Sequence, residues 1–114
     1  MDDCLFCKMV SGEIKPDLVY ETDQVIAFRD INPQAPLHAL VIPRQYIATV
    51  NDAEPADAAL LGQMVLAAQH IAQQEGYAES GFRLAMNCNA DAGQTVFHIH
   101  LHLLAGRQLG WPPG

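Results

Sequence analysis

Basic residues are scarce in this chain. Six lysines and arginines stand against thirteen aspartates and glutamates, a formal charge of −7, and nowhere do the six gather into the stripe that a duplex or an RNA requires. Polymeric nucleic acid is therefore not an expected partner. A small phosphorylated ligand stays open, because backbone N–H groups and histidines can hold one phosphate inside a net-acidic protein. Long apolar runs are missing too: none approaches the ~20 residues that span a bilayer, and no charged-then-apolar leader opens the chain. We expect a soluble, cytoplasmic protein with no membrane partner. Three cysteines, an odd number with Cys4 and Cys7 close together, do not make a secreted disulfide framework. Reduced thiols are the expectation.

Hydrophobic residues fill 50% of the 114 positions and charged ones 17%, a globular balance, and the length suits one domain over 1–114 with a core of its own. "DDCLFCKMVSGE" starts with carboxylates, spaces Leu5, Phe6, Met9 and Val10 as a helix does, and reaches Ser11-Gly12, predicting a helix of about two turns. "DLVYETDQVIAFRD" reads as two strands, Leu18 to Glu21 and Val25 to Asp30, around Thr22-Asp23-Gln24. A rigid loop, "INPQAP", leads to the apolar strand "LHALVIP", 37 to 43, with His38 at its entry. From Pro55 to Glu75, Leu60, Leu61, Met64, Val65, Ala68, Ile71 and Ala72 recur at three and four residues, predicting one amphipathic helix with His70 at the rim of its stripe. "FRLAMN", 82 to 87, and "VFHIHLHLLA", 96 to 105, read as the last strands. The loop between them, "CNADAGQT", is longer than an ordinary hairpin turn, a length that often belongs to a ligand site.

The last strand carries three of the five histidines, His98, His100 and His102, at every second position. Alternation places them on one face and Phe97, Ile99, Leu101 and Leu103 on the other, toward the long helix. Three readings compete. The row can be merely the polar face of a strand; it can ligate a metal, although a straight row reaches one ion poorly and needs a ligand from elsewhere; or the middle imidazole can act in nucleophilic or acid–base catalysis while its neighbours set its tautomer. Row geometry favours the last. Gly93, Gln94 and Thr95 precede the strand with a close-approach glycine, N–H donors and a hydroxyl suited to phosphate, and Asn87 and Asn89 could add amide contacts or cap the loop.

"GQTVFHIHLHLL" resembles the histidine triad, His-φ-His-φ-His-φ-φ with φ apolar. "FRDINPQAPLHALVIP" and the terminal "GRQLGWPPG" resemble the Hint branch of that HIT superfamily, the histidine triad nucleotide-binding proteins, in their bacterial form. The resemblance implies an α+β fold: a five-stranded antiparallel sheet with one long helix and a short N-terminal helix, the sheet extended across a homodimer. It implies a purine nucleoside phosphoramidase that hydrolyses adenosine 5′-monophosphoramidates and aminoacyl-adenylates such as lysyl-AMP to AMP, without a required cofactor. His100 resembles the nucleophile on phosphorus, His102 the donor to a nonbridging oxygen, and His38 and His98 the orienting and proton-relaying groups. Asp30 resembles the acid that binds the ribose hydroxyls. Ile31, Phe28, Phe6, Leu5 and Met9 resemble the purine pocket that takes AMP, GMP and their phosphoramidates. Asn87, Gly93, Gln94 and Thr95 resemble the phosphate and ribose contacts, Thr95 standing where relatives often have serine. Trp111, in the tail 104–114, resembles a residue near the partner subunit's active site.

Some members of the family also hold a structural zinc between a Cys-x-x-Cys pair and two histidines. Cys4, Cys7 and His98 match three of those ligands, but Tyr46 stands in place of the fourth. A neutral tyrosine is a rare zinc ligand, so two half-buried thiols packing the N-terminal helix are the preferred reading. Two further hypotheses differ in class from the hydrolase: a nucleotide-binding interaction module with incidental turnover, and a histidine-rich metal protein.

Overall fold

The structure, a computed structural model, describes residues 4–114; Asp2 and Asp3, which the sequence reading counted toward the first helix, lie outside the described residues. Helix α1 (Leu5–Ser11) starts where the Cys4 sulfur accepts the Cys7 N–H at 3.1 Å, and stops at Gly12, whose φ of 86° suits glycine and few other residues. Strands β1 (Leu18–Glu21) and β2 (Val25–Arg29) form the expected hairpin. The Thr22 hydroxyl turns the chain by accepting the N–H groups of Gln24 and Val25, each at 3.2 Å. Strand β3 (Leu37–Pro43) is buried along its whole length, His38 included, as a mostly apolar run in a sheet centre should be.

Helix α2 (Ala58–Gln74) follows a 3₁₀ turn at Pro55–Asp57, so the expected helix is present with a tighter first turn. Its buried residues are Met64, Ala67, Ala68, Ile71 and Ala72. Val65, counted in the apolar stripe from its spacing, is instead exposed, because it sits one residue, roughly 100°, around the helix from Met64. His70 is exposed and stacks on Tyr20, with ring centroids 4.7 Å apart.

Strands β4 (Phe82–Ala85) and β5 (Leu101–Ala105) complete one antiparallel sheet in the order β1-β2-β3-β5-β4. Alternation along the central strands gives the sheet two apolar faces. Val25, Ala27, Ala39, Val41, Leu101 and Leu103 pack against α2, while Ile26, Phe28, Leu40 and Ile42 pack with Phe6 of α1. Leu40 pairs with His102 across β3 and β5, so the histidine row belongs to the α1 face. The sheet is thus anchored on one side by a long helix and roofed on the other by a short one, which leaves the second face partly open for a ligand.

One expectation changes. The alternation predicts a strand over 96–105, but the ladder begins only at Leu101, and the chain bends through 96–98. This segment is fastened by Ile99, whose N–H donates to the Ile47 carbonyl at 2.8 Å, rather than by a neighbouring strand. Phe97 consequently points out, 47% exposed, whereas Ile99, Leu101 and Leu103 face the core as expected.

Candidate active site

Four imidazoles meet on the α1 face, three of them buried and His102 half-buried. His100 and His102 have ring centroids 5.1 Å apart, His38 and His102 5.2 Å. The edge of Phe6 closes on His100 at 5.0 Å. Strand β3 supplies His38, β5 supplies His102, and the bent approach to β5 supplies His98 and His100.

Hydrogen bonds assign a tautomer to each ring. The Gln34 N–H donates to His38 Nδ1 at 3.0 Å. In a neutral ring the accepting nitrogen is bare, so the proton of His38 sits on Nε2. That atom is 2.9 Å from His102 Nδ1 and 3.4 Å from Asp30 Oδ2. His102 accepts on Nδ1 and therefore carries its own proton on Nε2, as a donor. His100 has the opposite arrangement: its Nδ1–H donates to the His98 carbonyl at 2.9 Å, which leaves Nε2 as the lone-pair nitrogen. Two adjacent rings thus present a nucleophile, fixed by a backbone carbonyl, and a hydrogen-bond donor, fixed through His38.

The loop that orients His38 is itself braced. Arg107 Nε donates to the Gln34 carbonyl at 2.9 Å. The preceding Gly106 has φ of 98°, and a Cβ there would lie 2.8 Å from Pro36 Cβ. Only glycine lets the tail pass so close to the 31–36 loop.

Burial is the main cause that lowers the pKa of His38, His98 and His100 below the usual imidazole value; the Asp30 carboxylate opposes it at His38 and His100. His102 is pushed down to about 4, by burial first and then by His100 and His38, with Asp30 opposing. All four are neutral at pH 7, as the tautomer chain requires. In the unfolded chain these rings bind a proton near pH ~6.5, so below that value the unfolded state holds more protons. Stability therefore falls as pH drops from about 6.5 toward 4. Thermal unfolding between about pH 7.5 and about pH 5, where carboxylates remain ionised, is expected to show a steadily falling midpoint on acidification. A midpoint independent of pH over that range contradicts the neutral assignment.

A cavity of about 500 Å³ opens beside His100 and His102. Among the residues expected to bind ligand it is lined by Asp30, Ile31, Phe28, Phe6, Leu5, Met9 and Thr95. Ile31 is almost fully exposed, at the rim. Gln94 is not part of this wall. Its Oε1 accepts the Asn89 N–H at 2.9 Å and its Nε2 donates to the carbonyls of Ala48 and Val96, so the amide closes the loop. Gly93 ends a 3₁₀ turn over Ala90–Ala92 and its N–H donates to the Ala90 carbonyl. Asn87 is half-buried just past β4, outside the cavity wall. Trp111 lies in the exposed tail, 83% accessible and away from the cavity; the tail is tied to β4 by Arg83 Nη2 donating to the Gly110 carbonyl at 2.8 Å.

Sequence reasoning missed Leu40, Val96 and the segment Ile14–Asp17, all of which line the cavity. Leu40 had a signal: it is two residues from His38 on the same strand and so shares its face. Segment 14–17 had none, because only the folded hairpin, through the Arg29 N–H donating to the Asp17 carbonyl at 2.9 Å, brings it to the site.

Two groups of ligating side chains converge among the described residues: Asp30, His38 and His102, and Cys4, Cys7 and His98. The first is closed to a metal by its tautomers. For His38 Nε2 to become a ligand its proton would move to Nδ1 and collide with the Gln34 N–H. In the second, His98 Nε2 donates to the Pro43 carbonyl at 2.7 Å, which leaves the Nδ1 lone pair 3.4 Å from Cys7 Sγ and 3.7 Å from Cys4 Sγ. With both cysteines reduced, these side chains would offer three donors to a zinc ion, but a closed structural site takes four. Tyr46 instead packs its ring edge-on against His98, with centroids 5.7 Å apart. The four-ligand set is not met. Cys4 and Cys7 are joined by a disulfide, which corrects the expectation of reduced thiols for this pair, since Cys4 at the N-cap and Cys7 in the first turn of α1 bring the sulfurs together. Cys88, half-buried, is the free cysteine among the described residues.

Comparison with known proteins is consistent across sequence and structure. A model of the HIT domain family matches residues 11–109. The chain is 52% identical over 109 residues to the purine nucleoside phosphoramidase of Escherichia coli strain K12, covering 96% of this chain and 92% of that protein. A HIT family hydrolase from Legionella pneumophila superposes with a TM-score of 0.96 at 53% identity, covering 98% of this chain and all of the other. A second HIT family hydrolase, from Clostridium thermocellum, superposes at 0.93 with 44% identity over 96% of both chains.

Proposed function

The chain belongs to the HIT domain family, and on that basis we propose that it is a purine nucleoside phosphoramidase, a hydrolase that cleaves the P–N bond of adenosine 5′-monophosphoramidates to give AMP. The observation that carries this reading is the pair of opposed tautomers: a lone pair on His100 Nε2 beside an N–H on His102 Nε2, at the wall of one cavity. A binding module needs donors for phosphate; it has no use for a bare, backbone-aligned imidazole nitrogen beside them.

In the first step His100 Nε2 attacks the α-phosphorus, a His–P bond forms, and the P–N bond to the amine breaks. The amine leaves after taking a proton, toward which the Thr95 hydroxyl at the cavity wall can donate. His102 Nε2–H donates to a nonbridging oxygen as charge gathers there. The phosphorylated His100 ring bears positive charge, which the His98 carbonyl and the Asp30 carboxylate both favour. In the second step water attacks phosphorus, the His–P bond breaks, the proton that water loses replaces the one the amine took, and neutral His100 and AMP are released. Dividing one displacement into two lowers each barrier. The histidines supply nucleophile, donor and orientation, so the reading needs no metal and no organic cofactor.

The purine is assigned to the apolar walls of Phe6, Phe28, Leu5 and Met9 at the rim formed by Ile31, with the ribose hydroxyls on Asp30. Aminoacyl-adenylates such as lysyl-AMP fit the same scheme, and GMP derivatives fit the same apolar walls. Incubation with a fluorogenic adenosine phosphoramidate in excess EDTA is expected to give steady turnover. AMP binding without turnover under those conditions contradicts the hydrolase and leaves the binding module.

We also propose a homodimer in which β4, an outer strand of the sheet, pairs with its counterpart to make ten strands. The exposed Trp111, tethered to β4 through Gly110, supports this by offering a large apolar side chain beside that edge. Sedimentation at micromolar concentration is expected to give twice the chain mass; a monomer contradicts the pairing.

A further inference from the structure

We propose that Cys4 and Cys7 form a thiol–disulfide exchange site whose state is read by His98. His98 is 1% exposed. Its Nε2–H is committed to the Pro43 carbonyl, so the Nδ1 lone pair, aimed at both sulfurs, needs a donor. Disulfide sulfurs carry no hydrogen. In the oxidised protein that lone pair is therefore a buried acceptor without a donor, an arrangement that proteins seldom keep.

Reduction resolves the conflict. Two molecules of a low-molecular-weight thiol give up two electrons and two protons and leave joined as their own disulfide; the Cys4–Cys7 bond breaks and each sulfur gains a proton. The Cys7 S–H then lies 3.4 Å from His98 Nδ1, within reach of a sulfur hydrogen bond. Both cysteines are half-buried, so a small thiol can reach them. A disulfide that costs a buried histidine its partner is easier to reduce than an unencumbered one, the behaviour of an exchanging pair rather than a structural staple.

The effect reaches the nucleophile through two contacts. His98 is held at one nitrogen by the Pro43 carbonyl and, once the pair is reduced, at the other by the Cys7 thiol, and its own carbonyl accepts the Nδ1–H of His100. The state of the cysteine pair is thus transmitted to the ring that faces the cavity. The same three side chains could instead hold a thiophilic ion with an open fourth position, and the experiment separates that outcome.

Wild-type protein purified in air with EDTA is denatured and its thiols counted before and after reduction with dithiothreitol; metal content is measured on the same sample. One thiol before reduction, from Cys88, and three after are expected, with no stoichiometric metal. Three thiols before reduction, or one zinc per chain that persists through EDTA, overturns the exchange site. On folded protein with ¹⁵N-labelled histidine, the His98 Nδ1 resonance is expected to move to lower frequency on reduction, as a lone pair does when it gains a donor. The His100 resonances should shift with it. An unchanged His98 resonance across a reduction confirmed by thiol count overturns the coupling. Neither readout depends on turnover, so the hydrolase reading can fail without this one.

Discussion

His100→Ala is expected to lower turnover of an adenosine phosphoramidate by at least about 10⁴-fold, the loss typical when a nucleophile that works as part of a unit is removed, while AMP still binds. The separation follows from where the ring stands. It contributes a lone pair to the cavity wall, but the apolar walls and Asp30 that face a nucleoside come from α1, β2 and the following loop. Alanine removes the bond-forming atom and leaves those walls intact. Because His100 is buried against Phe6, the truncation also opens a small cavity, so His100→Gln serves as a near-isosteric control. Both variants should be inactive and both should retain AMP, measured by calorimetry. Residual turnover within tenfold of wild type in either one contradicts nucleophilic catalysis by this residue.

The second large effect belongs to His102. His102→Ala is expected to reduce kcat by about 10²–10³-fold, the usual cost of losing one preorganised donor to a developing oxyanion, with KM changed far less. The reason lies in the proton chain that starts at a backbone amide. Gln34 N–H fixes the tautomer of His38, His38 fixes that of His102, and the result is one N–H held ready at the cavity. A neutral donor of this kind needs no solvent reorganisation during the reaction. With a pKa near 4 it does not become charged at neutral pH, so its contribution should be flat from about pH 6 to about pH 8. A rise in KM with kcat unchanged would mean that His102 serves ground-state binding instead.

Much of this architecture was legible in the chain because it rests on local periodicity. The hairpin, β3 and α2 each announce themselves by spacing and by the turn residues around them, and the structure keeps their boundaries within a few residues. The alternation of His98, His100 and His102 correctly pointed to one shared face. It misled at Phe97. There the chain leaves the ladder so that Ile99 can bond to Ile47 and the His98 ring can lie between Pro43 and the sulfurs. That bend is dictated by partners about fifty and about ninety residues earlier in the chain, which no window of sequence contains.

The tautomers were illegible for a related reason. Which nitrogen of His38 is bare depends on one backbone N–H in the "INPQAP" loop, and that loop is positioned by Arg107 and the close passage of Gly106. Gln94 shows the reverse limit. Its place before the triad suggested a ligand contact, yet its amide satisfies the Asn89 N–H and the Val96 carbonyl beside it and ties them to the Ala48 carbonyl of a distant segment. A polar side chain near a site is as often the fastening of a loop as a hand on the ligand, and only the partner atoms distinguish the two.

The covalent intermediate is the most direct test. Wild-type protein mixed with an adenosine phosphoramidate, quenched within milliseconds in alkaline denaturant and digested, should yield one peptide heavier by an adenylyl group. Fragmentation should place that group on His100. Adenylate on any other residue, or none under conditions of rapid turnover, would contradict attack by His100 on phosphorus.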